Sequence, residues 1–139
     1  MSDVALFDRN KVLLVRYRRT GYDTGWYLPD VLLKDLEHPD EGAKHVLSDQ
    51  LGVKGLNTSL SHIESFKADG IWHLAFHYKA ELEPLAKVDP VHEIPEIRWF
   101  PLSQLPERNA VGFNGWALAT IKQILEKLQP SGSSSANTE

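Results

Sequence analysis

The chain opens on two short apolar runs, residues 4–7 (VALF) and the β-branched stretch from Lys11 to Arg18. Asp8-Arg9-Asn10 lies between them, and Asp and Asn tolerate turn dihedrals, so the pair is expected to form a hairpin. A loop follows over residues 18–29, with Gly21, Tyr22 and Gly25. Residues 39–51 carry Ala43, Val46, Leu47 and Leu51 at helical spacing. Pro39 suits the first helical position, Asp40 and Glu41 suit the positive end of the dipole, and Gly52 suits the stop. From Ile71 to Leu82 the pattern alternates, which predicts a strand with one covered face holding Trp72 and Tyr78 in the core. Asp69-Gly70 joins it to a strand at 63–67. A short strand is expected at 97–100, then a turn bounded by Pro101 and Pro106. The last helix is expected from Asn114 to Leu128, with Ala117, Ile121, Ile124, Leu125 and Leu128 on one stripe. The order β-β-α-β-β-β-α predicts an α/β fold with a mixed sheet covered by helices.

Composition narrows the classes. At 139 residues, with 42% hydrophobic and 24% charged, the chain suits one globular domain, expected over residues 1–129. The tail PSGSSSANTE at 130–139 has almost no apolar content and is expected to be disordered. Nineteen acids against 15 bases give a net charge of −4, which argues against a nucleic-acid partner. No cysteine is present, so disulfides, thiolate metal sites and Cys nucleophiles are excluded. No stretch approaches the ~18 apolar residues of a membrane span, and the N-terminal residues lack a secretory pattern. The expected location is the cytoplasm, with no membrane partner.

One segment carries a family resemblance. Gly25-Trp26-Tyr27-Leu28-Pro29 precedes a loop and then a helix ending at Leu51-Gly52-Val53. This arrangement resembles the Nudix hydrolase family, whose box reads Gly, five residues, Glu, seven residues, Arg-Glu, aliphatic, any, Glu-Glu, any, Gly, aliphatic. Anchored on Gly52, the box positions fall at Val31, Glu37, His45-Val46, Leu47, Asp49-Gln50 and Gly52-Val53. Glu37, Leu47, Gly52 and Val53 match, Asp49 is a conservative change, and Val31, His45, Val46 and Gln50 depart. Trp26 with Leu28-Pro29 resembles the family's entry to the box. Glu96-Ile97-Arg98-Trp99-Phe100 with Leu105-Pro106 resembles its late strand and following turn. The resemblance covers residues 3–128 and implies a Nudix-type α/β/α sandwich.

It also implies hydrolysis of a nucleoside diphosphate linked to another group, with Mg²⁺ or Mn²⁺ as cofactor. Such ions want several charged oxygens, and the family's helix supplies glutamates that share one face. Here those positions are Val46, Asp49 and Gln50, so one carboxylate remains. The leading expectation is therefore a Nudix-fold protein that binds a nucleotide or other phosphorylated small molecule, with pyrophosphohydrolase activity weak or lost. One alternative is an active hydrolase with rearranged ligands, in which Glu37, Asp49 and Glu93 are the catalytic acids and Asp49 and Glu37 hold the metal. Another is a protein-interaction domain without a small ligand. Dimers are common in the family, and a homodimer is an expectation on that ground.

The binding candidates come partly from chemistry and partly from the resemblance. Arg16 and Arg18 alternate onto the face of Leu14 and have forks suited to phosphate; an edge strand kept soluble by charge explains them equally. Tyr22, Trp26 and Tyr27 offer rings on which a base could stack. Asn114 borders the region of the family's pocket, or else caps the last helix. His45 either pairs with Glu37 or sits exposed. Glu41, His45 and Asp49 form a stripe that fits a solvated helix face as well as a metal site. His73 and His77 share one face of their strand, without a third ligand placed by sequence.

Overall fold

The two opening runs are unbroken in apolar residues because both their faces are covered. The computed structural model describes residues 1–128; the tail at 130–139 lies outside the described residues. Strand β1 (Ser2–Asp8) turns at Arg9-Asn10 into β2 (Lys11–Arg16), with Asp8 opposite Lys11. Arg9 takes a left-handed backbone there, φ 58°. Val4, Leu6, Leu13 and Val15 face one side of the sheet, and Ala5, Phe7, Val12 and Leu14 the other. Strand β3 (Asp30–Val31) pairs with the start of β1. Strands β4 (Ser59–Ala68) and β5 (Ile71–Glu81) form the second hairpin, and β6 (Glu96–Pro101) pairs antiparallel with β2. The order is β4-β5-β1-β2-β6, with β1 and β5 parallel.

Helix α1 (Pro39–His45) packs on one face and α2 (Gly112–Leu128) on the other. This is the mixed sheet covered by helices that the pattern predicts, in the α/β/α sandwich that the resemblance implies. No helix among the described residues is long and apolar enough to cross a membrane.

Three local expectations change. The helix expected over 39–51 is α-helical only to His45 and continues as a wider π turn over Val46–Gln50. That turn seats Val46, Leu47 and Leu51 in the core while turning Gln50 inward as well. Gly52 then ends the element at φ 69°, with the Val53 amide donating to Leu47 O at 2.8 Å. The last helix does not start on an Asn114 cap. Phe113, Asn114 and Gly115 all lie in the left-handed region, so Asn114 lacks the extended backbone of a cap residue. Trp72 is not core: it lies near the hairpin tip, beyond the helices, and is 63% exposed, with its indole donating to Ser65 Oγ at 2.7 Å. Tyr78, further along β5, is buried as expected.

Candidate functional site

Side-chain parity along β2 decides what meets the box helix. Tyr17 continues the face of Leu13 and Val15, toward α1, while Arg16 continues that of Leu14, toward α2. Tyr17 is buried, and its hydroxyl donates to Gln50 Oε1 at 2.6 Å while accepting the Asp30 amide at 2.8 Å. The Gln50 Nε2 donates to Asp30 O at 2.7 Å. Both ends of the Gln50 amide are therefore committed inside the protein.

Arg19 lies over this knot. Its Nη1 donates to Asp30 Oδ1 at 2.7 Å and to the Tyr22 hydroxyl at 3.2 Å, and its Nη2 to Asp30 O at 3.1 Å. Its Nε lies 3.2 Å from Glu93 Oε2, and its guanidinium stacks 3.7 Å from the Tyr17 ring centroid. The Tyr22 hydroxyl also donates to Asp30 Oδ1, at 2.8 Å. Burial raises the Asp30 carboxyl to about 6 despite Arg19 and Tyr22, which favour its ionised form. Burial also pushes the Tyr17 and Tyr22 hydroxyls up, with the Asp30 charge adding to it.

The aromatic rim continues outward. Tyr22 and Tyr27 have ring centroids 4.9 Å apart, and Phe113 lies 5.6 and 5.4 Å from them. Tyr27 is pinned by its hydroxyl, which donates to Asp23 Oδ1 at 2.7 Å. That bond, joined by the Gly25 amide, holds the Asp23 carboxyl below its usual range. Gly112 lies beneath the Tyr27 ring, where a Cβ would come within 2.1 Å of Cζ. Next to Asp3, Tyr27, Asp30 and Trp116 the packing leaves only a cavity sized for about one water molecule. The larger hollows lie elsewhere, such as a 400 Å³ groove beside Phe7, Leu56 and Lys79.

The expected site residues are spread around this knot. Glu37 caps its own loop: Oε1 accepts the Lys34 amide at 2.9 Å and Oε2 lies 2.7 Å from His45 Nδ1. The Lys34 amide, then His45, hold the Glu37 carboxyl below its usual range. Asp49 is exposed, with Ser48 Oγ at 3.2 Å as its partner. Glu93 reaches Arg19 rather than Glu37 or Asp49. Arg16 pairs with Glu96 at 2.8 Å, its guanidinium 4.2 Å from the Trp26 ring. Trp26 is itself buried against Phe100 in the α2-side core, so its ring is not open for stacking. Arg18 is exposed, and its Nε donates to His92 O at 3.3 Å. Asn114 borders an open 420 Å³ surface with Glu107, Arg108 and Asn109. Of the candidates, the structure brings together Tyr22 and Glu93, through Arg19, with Arg18 alongside.

Sequence reading missed Tyr17, Arg19, Asp30 and Gln50 as partners. The available signal was β2 parity, which, carried one residue past the strand, sends Tyr17 to the α1 side and Arg16 to the other. Asp30 gave no comparable signal, since its two-residue strand is too short for a pattern.

The box positions do not fit a divalent cation. Val46 is fully buried among core side chains, Gln50 offers no free oxygen, and Asp49 is alone. Among the described residues no three His, Asp or Glu side chains gather to hold an ion.

A second polar cluster lies under α2. His77 is fully buried, with Asp3 Oδ1 2.7 Å from Nδ1 and Glu64 Oε1 2.9 Å from Nε2. A ring facing a carboxylate at each nitrogen donates to both only as imidazolium. Burial alone would lower the His77 pKa, but the two carboxylates raise it. Trp116 Nε1 also donates to Glu64, at 3.1 Å, and the His62 ring lies 4.6 Å from that of His77.

No family model and no curated protein matches the sequence. Solved structures do. The NUDIX domain of Shewanella oneidensis NrtR, complexed with ADP ribose, is 21% identical with a TM-score of 0.73, over 92% of this chain and 86% of that one. A MutT NUDIX hydrolase from Burkholderia pseudomallei is 20% identical with a TM-score of 0.72, over 92% and 95%. A NUDIX hydrolase from Nitrosomonas europaea is 19% identical with a TM-score of 0.70, over 95% and 97%. Sheet order, flanking helices and these likenesses agree: the chain is a Nudix-fold domain.

Proposed function

We propose that this Nudix-fold protein binds a nucleotide or related phosphorylated small molecule, with metal-dependent pyrophosphohydrolase activity weak or lost. The observation that carries the reading is the Tyr17–Gln50–Asp30 knot. It spends in internal hydrogen bonds the side chain that a metal-dependent relative would turn on its ion. The neighbouring box position, Val46, belongs to the core. Half-buried Tyr22 and exposed Phe113, backed by the buried Tyr27 ring, supply faces for a base, and Arg18 and Arg19 supply positive charge for phosphates. The ADP ribose bound by the Shewanella domain supports a ligand of this class.

The test is incubation with nucleoside diphosphate derivatives and Mg²⁺ or Mn²⁺, alongside thermal shift with the same panel. The reading expects no turnover and a raised melting temperature with at least one compound. Turnover abolished by Asp49→Asn would establish the rearranged hydrolase instead. No stabilisation by any compound would favour the interaction domain.

A further inference from the structure

We infer that Arg19 is the site's built-in cation, and that the Glu93 carboxylate is a tethered stand-in for a ligand diphosphate, which displaces it and binds without a metal ion. This rests on the proposed nucleotide-type ligand and adds how its anionic part is held.

The two carboxylates on Arg19 differ in kind. Asp30 is fixed: its side chain is 6% exposed, it sits in the β3 bridge, and it takes Arg19 through both Oδ1 and O. Among the described residues the Glu93 side chain is held only by Arg19, and it is 44% exposed. Its contacts are long, 3.2 Å from Nε and 3.5 Å from Nη2. Together they trace a loose two-pronged fork, which is also how a guanidinium takes a phosphate. Both Nη groups of Arg19 donate and its Nε faces Glu93, so an incoming anion must replace one partner, and Glu93 is the replaceable one.

The backbone permits that exchange. Glu93 O accepts the Arg18 amide at 2.8 Å, and the next residue, Ile94, is buried in the core. The side chain can swing out while its loop stays anchored. Arg18 lies on the same rim, bonded to His92 O, and adds a second positive charge for the second phosphate. A divalent cation would compete with the Arg19 charge for Asp30 and Glu93, so the exchange favours binding in its absence.

The test measures binding of inorganic pyrophosphate and of ADP by calorimetry, in EDTA and in excess Mg²⁺, for the wild type, Glu93→Ala and Arg19→Lys. Removing the exposed competing carboxylate is expected to tighten pyrophosphate binding about two- to fivefold in EDTA. Lysine cannot reproduce the fork, and Arg19→Lys should weaken binding about tenfold or more. Circular dichroism confirms that both variants are folded. Equal or weaker binding by Glu93→Ala, a need for Mg²⁺, or no pyrophosphate binding by any variant overturns the inference. If the nucleotide panel still stabilises the wild type, only this inference falls. If pyrophosphate binds at Arg19 while no nucleotide does, the ligand is a phosphorylated molecule other than a nucleotide, and the exchange at Glu93 holds for that ligand.

Discussion

The buried Tyr17 hydroxyl donates to Gln50 Oε1 at 2.6 Å, and the other end of that amide holds Asp30 O. Gln50→Glu, which restores the residue of the Nudix box, replaces the Nε2 donor with an oxygen facing the Asp30 carbonyl. A buried acceptor without a donor costs about 1–3 kcal/mol. Urea unfolding should show a loss of that size, and Mg²⁺ should not recover it.

Stability should peak on the acid side of neutrality. Asp3 and Asp30 have raised pKa values in the fold, chiefly through burial, so their contribution declines as pH rises from about 4, and for Asp30 until about 6. His77 is also raised, by Asp3 and Glu64 against the effect of burial. Its stabilisation is complete below the ordinary histidine value and is lost as pH climbs through its folded pKa. Glu37, Glu64 and Asp23 are lowered, so their contribution is present above the ordinary carboxylate range and lost below it. Denaturation midpoints should therefore be highest near pH ~5. Asp30→Asn should flatten the decline between pH 4 and 6; an unchanged slope would remove Asp30 from the account.

Trp26 and Tyr22 lie four residues apart and should behave differently. Trp26→Ala empties a buried site in the α2-side core and should cost about 3–5 kcal/mol. Trp26→Phe should leave ligand affinity nearly unchanged. Tyr22→Phe keeps the ring but removes the hydroxyl that donates to Asp30, and should weaken ligand binding more than it weakens the fold.

Gly112→Ala tests the rim's foundation. The added methyl would meet the Tyr27 ring, which must move and release its bond to Asp23. A loss of about 1–3 kcal/mol is expected. Changed tyrosine fluorescence and weaker nucleotide binding should accompany it.

The sheet was legible because its apolar runs are long and regular. Val4 to Phe7 announces a hairpin strand, and Ile71 to Glu81 is bounded by Asp69-Gly70. The His45–Glu37 pair was one of two readings that position allowed, and the structure has the two side chains 2.7 Å apart. What escaped depends on contacts between distant segments. Gln50 turns inward because a π turn adds a residue to the end of the helix, which no periodicity in VLSDQ announces. Arg19 is one of several basic residues until Asp30 and Glu93, 11 and 74 positions away, give it a place.

The parallel seam between β1 and β5 sets the order in which this molecule can assemble. Asp3 lies beside His77, 74 positions later, whereas each hairpin closes over a short turn. Loop closure over that span is an entropic toll that the hairpins do not bear. Both hairpins can form first, and docking β1 onto β5 should limit the folding rate. Until residue 81 is available, β1 keeps one side unpaired, an apolar edge in the middle of the future sheet. Partly synthesised chains should therefore be more prone to aggregate than the finished domain.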